Sequence, residues 1–170
     1  FDIEEVPTHG GSLRLFVCHQ NAKHQIMPNV AHVREKEIAA GLDRPSGYAE
    51  FTRRVQKVRA DLNAFLAKAK TDGKLVVGYG AAAKGNTLFN YCGTNADDVI
   101  FVADRSPAKQ NTLLPGSRIP VKAPEAIAEE RPDFVLIMPW NLRAEIVKQL
   151  SGIREWGGRF VTAIPEIWID

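Results

Sequence analysis

The chain has 170 residues, 45% hydrophobic and 25% charged, ordinary values for one globular domain able to bury a real core. Its formal net charge of +2, with basic residues scattered rather than striped, argues against a nucleic-acid or membrane surface, and no apolar run approaches the roughly 20 residues of a membrane span. Two cysteines, Cys18 and Cys92, form no CxxC pair, which argues against a zinc site or disulfide framework; both read as core or semi-buried residues, and this usage suits a reducing cytoplasm. Residues 1–19 are extended in pattern: Ile3 and Val6, then Leu13, Leu15 and Val17 alternating with Ser12, Arg14 and Phe16, around a turn at Gly10-Gly11. This predicts a β-hairpin. Residues 21–42 form a connector with a short helix over 33–41, stopped by Gly41. Phe51, Val55, Val58, Leu62, Phe65, Leu66 and Ala69 then recur at helical spacing, up to a cap signal at Thr71-Asp72-Gly73.

After Gly73 the pattern changes. Short apolar runs at 75–79, 99–103, 119–121, 134–138 and 160–164 read as strands, and 87–91, 124–130 and 142–156 as helices. Continuous apolar strands alternating with helices predict a mostly parallel sheet covered on both faces. The fold expected is therefore α/β and Rossmann-like over residues 74–170, with residues 1–73 as an arm of hairpin, connector and long helix. The chain opens in strand-like sequence without an initiator Met and has no signal peptide, and reads as a piece of something longer.

The sharpest chemical feature is Gly78-Tyr79-Gly80-Ala81-Ala82-Ala83-Lys84-Gly85-Asn86-Thr87, which follows a strand and opens a helix. Glycines allow a tight turn and close approach. A helix N-terminus offers unpaired N–H groups and a positive dipole end. Lys84 adds a charge, and Asn86 and Thr87 add donors, so the loop suits a phosphate or pyrophosphate. It is neither a Walker loop nor a strict dinucleotide fingerprint; it also reads as a tight turn needed only for packing. Asp104 ends the second strand, where an acid meets a ribose hydroxyl or caps the strand. Trp140 stacks on a ligand or is core, and Asn141 reads first as a helix cap. His9, near Gly10, Gly11, Ser12 and Arg14, is a turn residue or part of a polar cluster. The other histidines show no metal-ligand spacing, and no nucleophile–base arrangement is legible.

Taken in order, Thr8-His9-Gly10-Gly11-Ser12-Leu13-Arg14, the loop from Gly78 to Leu88, Asp104 with Pro107-Ala108-Lys109-Gln110, Leu114-Pro115-Gly116, Pro132-Asp133 and Met138-Pro139-Trp140-Asn141 closely resemble the C-terminal domain of sugar C-methyltransferases. The resemblance covers nearly the whole chain; family members often carry Pro at the position of Ala82. It implies a parent with a zinc-binding N-terminal domain and a methyltransferase domain holding S-adenosylmethionine. Its usual base is a His in a Tyr-x-Glu-His segment upstream of Thr8. This stretch would then carry no catalytic residue, cofactor or metal, would be inactive alone, and would hold a nucleoside-diphosphate keto-deoxysugar. Its partners would be that nucleotide sugar and the other two domains. The resemblance places the substrate contacts at His9, Ser12, Arg14, Gly80, Ala81, Ala82, Ala83, Lys84, Gly85, Asn86, Thr87, Asp104, Lys109, Trp140 and Asn141. The competing expectations are a dinucleotide- or coenzyme-A-binding domain and a purely structural docking module.

Overall fold

In the computed structural model, which describes residues 1–170, the alternating start of the chain forms an antiparallel pair, β1 (Asp2–Val6) and β2 (Ser12–Phe16). Ile3 faces Leu15 and Glu4 faces Arg14 across it. The connecting turn takes His9, Gly10 and Gly11 through φ of 54°, 88° and 117°, a run that two glycines make accessible. A helix, α1 (Pro28–Ala39), follows. It starts earlier than the expected residue 33, because Pro28 supplies a preset first turn while the apolar signal begins only at Val33, the helix's one buried residue. On this first unit Lys36 hydrogen-bonds Glu5 at 2.6 Å and holds that carboxyl below its ordinary range.

The long helix α2 (Ala49–Thr71) spans the boundary between two compact units, Phe1–Arg54 and Val55–Asp170. The division falls inside the helix rather than after residue 73, because Leu62, Leu66 and Ala69 are buried in the core of the second unit.

That unit is built on a six-stranded sheet: β3 (Val76–Tyr79), β4 (Val102–Ala103), β5 (Val121–Lys122), β6 (Phe134–Ile137), β7 (Arg159–Thr162) and β8 (Trp168–Ile169). The order is β5-β4-β3-β6-β7-β8, parallel throughout except for β8, which pairs antiparallel with β7. Helices α3 (Ala83–Cys92), α4 (Ala126–Glu130) and α5 (Arg143–Gln149) complete it. Successive strand residues point to opposite faces, and both faces are covered, which is why the strands read as unbroken apolar runs. Val76, Leu136 and Val161 pack with Leu62 and Leu66 of α2 and Phe89 of α3. Val77, Phe101 and Phe160 pack with Ile127 of α4 and Ile146 of α5. The chain is therefore an α/β protein with a mostly parallel sheet. No helix is long and apolar enough to cross a membrane.

Three sequence expectations change in detail. The runs 99–103 and 119–121 yield strands of only two residues, although Val99, Phe101 and Ile119 are fully buried, so their apolarity reports burial more than pairing. The helix expected over 142–156 stops at Gln149 and continues as a 3-10 segment, Ser151–Trp156, across the weak helix former Gly152. Cys18 is exposed rather than semi-buried; Cys92 is buried, and burial pushes its thiol pKa up.

At the amino ends of β3 and β6, Asp133 accepts from Lys74 Nζ at 2.9 Å and from the Leu75 backbone N–H at 2.9 Å. Partial burial pushes its carboxyl up, but the Lys74 and Leu75 hydrogen bonds and the Lys74 charge outweigh this and leave it below its ordinary value. A depressed carboxyl pKa stabilises the fold above the unfolded-state value, about 4, and the stabilisation is lost as pH falls through the lower folded-state value. Asp133→Asn is expected to cost about 1–2 kcal/mol at pH 7. Urea titrations at pH 7 and pH 3 check it: the gap between wild type and variant should shrink at the lower pH, and an unchanged gap would contradict the ionic account.

Candidate functional site

The parallel strands all end at one edge of the sheet, and at that edge the direction of winding reverses between β3 and β6. Loops leaving two such neighbours diverge and open a crevice outside the strand ends. Gly80 leaves β3 with φ +90°, and a Cβ there would lie 2.6 Å from Pro139 Cδ in the loop after β6. Gly85 rests on the same strand end, where a Cβ would come within 2.7 Å of Met138 Cβ. Both glycines let α3 and the β6 loop approach more closely than any side chain allows.

Helix α3 begins at Ala83, four residues before the expected start at Thr87, so Lys84 lies in its first turn rather than in a loop. Ala82 occupies the cap position with extended backbone and has no side-chain oxygen to cap with. The Asn86 N–H takes the Ala82 carbonyl at 3.0 Å. The N–H groups of Ala83, Lys84 and Gly85 are left without a protein acceptor, as helix geometry requires when nothing caps the end.

The loop is held from below. Asp104, only 9% exposed, accepts from the Ala81 N–H at 2.7 Å and from the Ser106 N–H at 2.8 Å. Lys109 Nζ donates to the Ala81 carbonyl at 2.8 Å and lies 3.3 Å from the Asp104 carboxylate. Gln110 Nε2 donates to the Asp104 carbonyl at 3.0 Å. Asp104 and Lys109 together clamp both backbone groups of Ala81, which fixes the turn that presents α3. Each carboxylate oxygen of Asp104 takes one backbone N–H, so the side chain buttresses the loop from within the fold.

Lys84 Nζ sits 5.8 Å from the centre of the half-buried Trp140 ring, bringing the start of α3 and the end of β6 together. Asn141 caps nothing: it is exposed within a 3-10 turn, Trp140–Leu142, and neither that turn nor α5 has a side-chain cap bond. The Thr87 hydroxyl donates back to the Ala83 carbonyl at 3.1 Å. Asn86 Oδ1 is buried without a partner, an orphan that costs roughly 1–3 kcal/mol unless something donates to it. In the first unit His9 is exposed, the Ser12 hydroxyl donates to the Thr8 carbonyl at 3.0 Å, and Arg14 pairs with Glu4 at 2.7 Å.

A groove that the sequence reading missed opens at the carboxyl ends of β4 and β5. It is an open groove of about 890 Å³ between Arg105 and Gln110 after β4, Pro124 and Glu125 after β5, and Glu145 and Gln149 of α5. Its residues come from three separate segments with no shared motif, so no local signal marks them.

Fold and site together define an α/β protein whose uncapped helix start and adjoining groove share the carboxyl-end edge of the sheet. Residues 7–165 match a family model described as the C-methyltransferase C-terminal domain, and the chain belongs to that family. It is 38% identical over 165 residues to a protein described as C-methyltransferase NovU from Streptomyces niveus, an alignment covering 97% of this chain and 39% of that relative. The chain therefore spans about two fifths of the length of the curated relative it matches. The resemblance read from the sequence agrees with both findings.

Proposed function

We propose that the second unit is a Rossmann-like holder for a nucleoside-diphosphate keto-deoxysugar, acting within a C-methyltransferase whose other domains perform the chemistry. One observation carries this reading: the three N–H groups of Ala83, Lys84 and Gly85 are preset for an anion, beside the Lys84 ammonium. An anion there satisfies donors that nothing else satisfies and meets the positive end of the α3 dipole. The strand order supports it: numbered from β3, it reads 3-2-1-4-5-6, the order in which such sheets bind nucleotides at the reversal point. The Asp104 contacts weigh against the dinucleotide reading, since the acid expected on a ribose hydroxyl is engaged with Ala81 and Ser106.

In the proposed reaction a base removes a proton from the carbon next to the sugar's ketone, and the resulting enolate carbon is methylated. S-adenosylmethionine, held by another domain, supplies the methyl group. The base also lies elsewhere. This chain binds and orients: the start of α3 fixes the diphosphate, the Asp104–Lys109 clamp keeps the loop from shifting, and Trp140 packs beside the ligand. Asn86 Oδ1 accepts from a ligand hydroxyl or N–H. The hairpin of the first unit, with His9, Ser12 and Arg14, forms the junction to the methyltransferase domain. No group of three or more His, Cys, Asp or Glu side chains is placed to hold a metal ion. The assembled enzyme works in the cytoplasm.

Titration calorimetry with a deoxysugar nucleotide tests the reading. Lys84→Ala is expected to weaken binding by about 1–3 kcal/mol, the worth of a charge-assisted contact. Equal affinities would remove Lys84 from the site.

A further inference from the structure

We propose that the groove beside Arg105 and Gln149 holds the nucleoside half of the ligand, so that the nucleotide lies across the strand ends with its diphosphate on α3 and its ribose and base over β4 and β5. This rests on the nucleotide-sugar reading above and adds to it where each half of the ligand goes.

Size and place agree. The groove's volume of about 890 Å³ lies within the roughly 300–1,000 Å³ range of small-molecule sites. It shares the carboxyl-end edge of the sheet with the start of α3, and Arg105 directly follows Asp104, whose carboxylate holds the loop before α3.

Charge separates the two halves. Glu125 and Glu145 balance Arg105 and Lys148 along the groove. With no net charge the groove offers a diphosphate no net attraction, while its carboxylates accept hydroxyl or N–H donors, so it suits an uncharged polar group. At the α3 start the charges are Lys84 and the Lys109–Asp104 pair, and the free backbone groups are donors, which suits the anion.

Two amides in the groove are also fixed in direction. Gln110 Nε2 donates to the Asp104 carbonyl at 3.0 Å, and Gln149 Nε2 donates to the Tyr79 hydroxyl at 2.9 Å. Each glutamine is thereby anchored to the end of a strand, and neither Oε1 accepts a hydrogen bond from the protein. A nucleobase or ribose edge, with its N–H and O–H donors, meets such preset acceptors at low entropic cost. Ala123 and Pro124 supply an apolar surface for a ring face. The sugar end is the worse fit for this groove. Methyl transfer must reach it from groups this chain does not supply, so the unreactive half is the one that can rest against this groove.

Amide shifts of the 15N-labelled chain test the assignment, using inorganic pyrophosphate and then thymidine, uridine, adenosine and guanosine diphosphates as probes. Pyrophosphate should move the amides of Ala83, Lys84 and Gly85 and leave the groove still. At least one nucleoside diphosphate should move those amides and also Arg105, Gln110, Ala123 and Gln149. Ala123→Trp, which fills the groove, should weaken that nucleoside diphosphate about tenfold or more while the pyrophosphate response persists and reports an intact fold. Nucleoside diphosphates that move only the α3 amides, or bind Ala123→Trp as tightly as wild type, would overturn the groove assignment and leave the anion site standing. If no probe moved the α3 amides, both readings would fall.

Discussion

Gly80→Val should destabilise the second unit by about 2–4 kcal/mol, combining left-handed backbone strain at a β-branched residue with an overpacking clash. Gly80 holds φ +90°, a region that L side chains rarely adopt, and its missing Cβ would sit 2.6 Å from Pro139 Cδ. Proline is a poor partner in such a clash, since its ring cannot swing away as a long flexible side chain does. Relief requires the loop after β3 to move, and that loop carries Ala81, which Asp104 and Lys109 grip through its N–H and carbonyl. Strain at residue 80 therefore spreads to the start of α3 and should weaken anion binding as well as folding. Urea unfolding measures the first effect and pyrophosphate titration the second. A variant within about 0.5 kcal/mol of wild type would mean that the loop is more compliant than the clamp implies.

Leu62→Ala is expected to cost about 2–5 kcal/mol, the range for deleting a buried leucine side chain and leaving its cavity. Leu62 is fully buried and packs with Leu66, Phe89, Val76 and Leu136, so the last two thirds of α2 belong to the core of the sheet. A helix serving only as a linker would lose far less: a leucine on a solvated face costs about 0.5 kcal/mol or less. Urea unfolding monitored through Trp140, Trp156 and Trp168, all in the second unit, distinguishes the two.

The α/β pattern was legible because each strand is buried on both sides. Val76-Val77 and the run from Phe134 to Ile137 carry no polar residue, and a stretch that short and that apolar, followed by a helical period, has few other homes. The long helix was equally plain from the spacing of Val58, Leu62, Phe65 and Leu66. Its allegiance was not, because periodicity shows that a face is buried and not what buries it. The strand β8 escaped notice for a similar reason. Two residues carry no period, and its end is tied by the Asp170 carboxylate to the Phe160 N–H at 2.7 Å and to Arg154, contacts between residues distant in the chain.

The candidate site divides the same way. Its backbone half was readable, since glycines after an apolar strand mark a tight turn into a helix. The start of α3 was misplaced because Ala81, Ala82 and Ala83 bear no cap residue to announce it, and that absence is what leaves the helix end open. At Asp104 the sequence leaves a ribose acceptor and a strand cap as alternatives, because position in a strand cannot reveal that one carboxylate oxygen takes the Ala81 N–H. Asn141 looked like a cap from its residue type alone, yet the turn it occupies needs none.

The central claim is that the open start of α3 receives a diphosphate. The most direct measurement is a crystal structure of this chain with a nucleoside-diphosphate sugar bound. The account predicts phosphate oxygens within about 3 Å of the N–H groups of Ala83, Lys84 and Gly85, with Lys84 turned from Trp140 toward the phosphate. A ligand whose diphosphate lies elsewhere, with those three N–H groups bonded only to water, would contradict it.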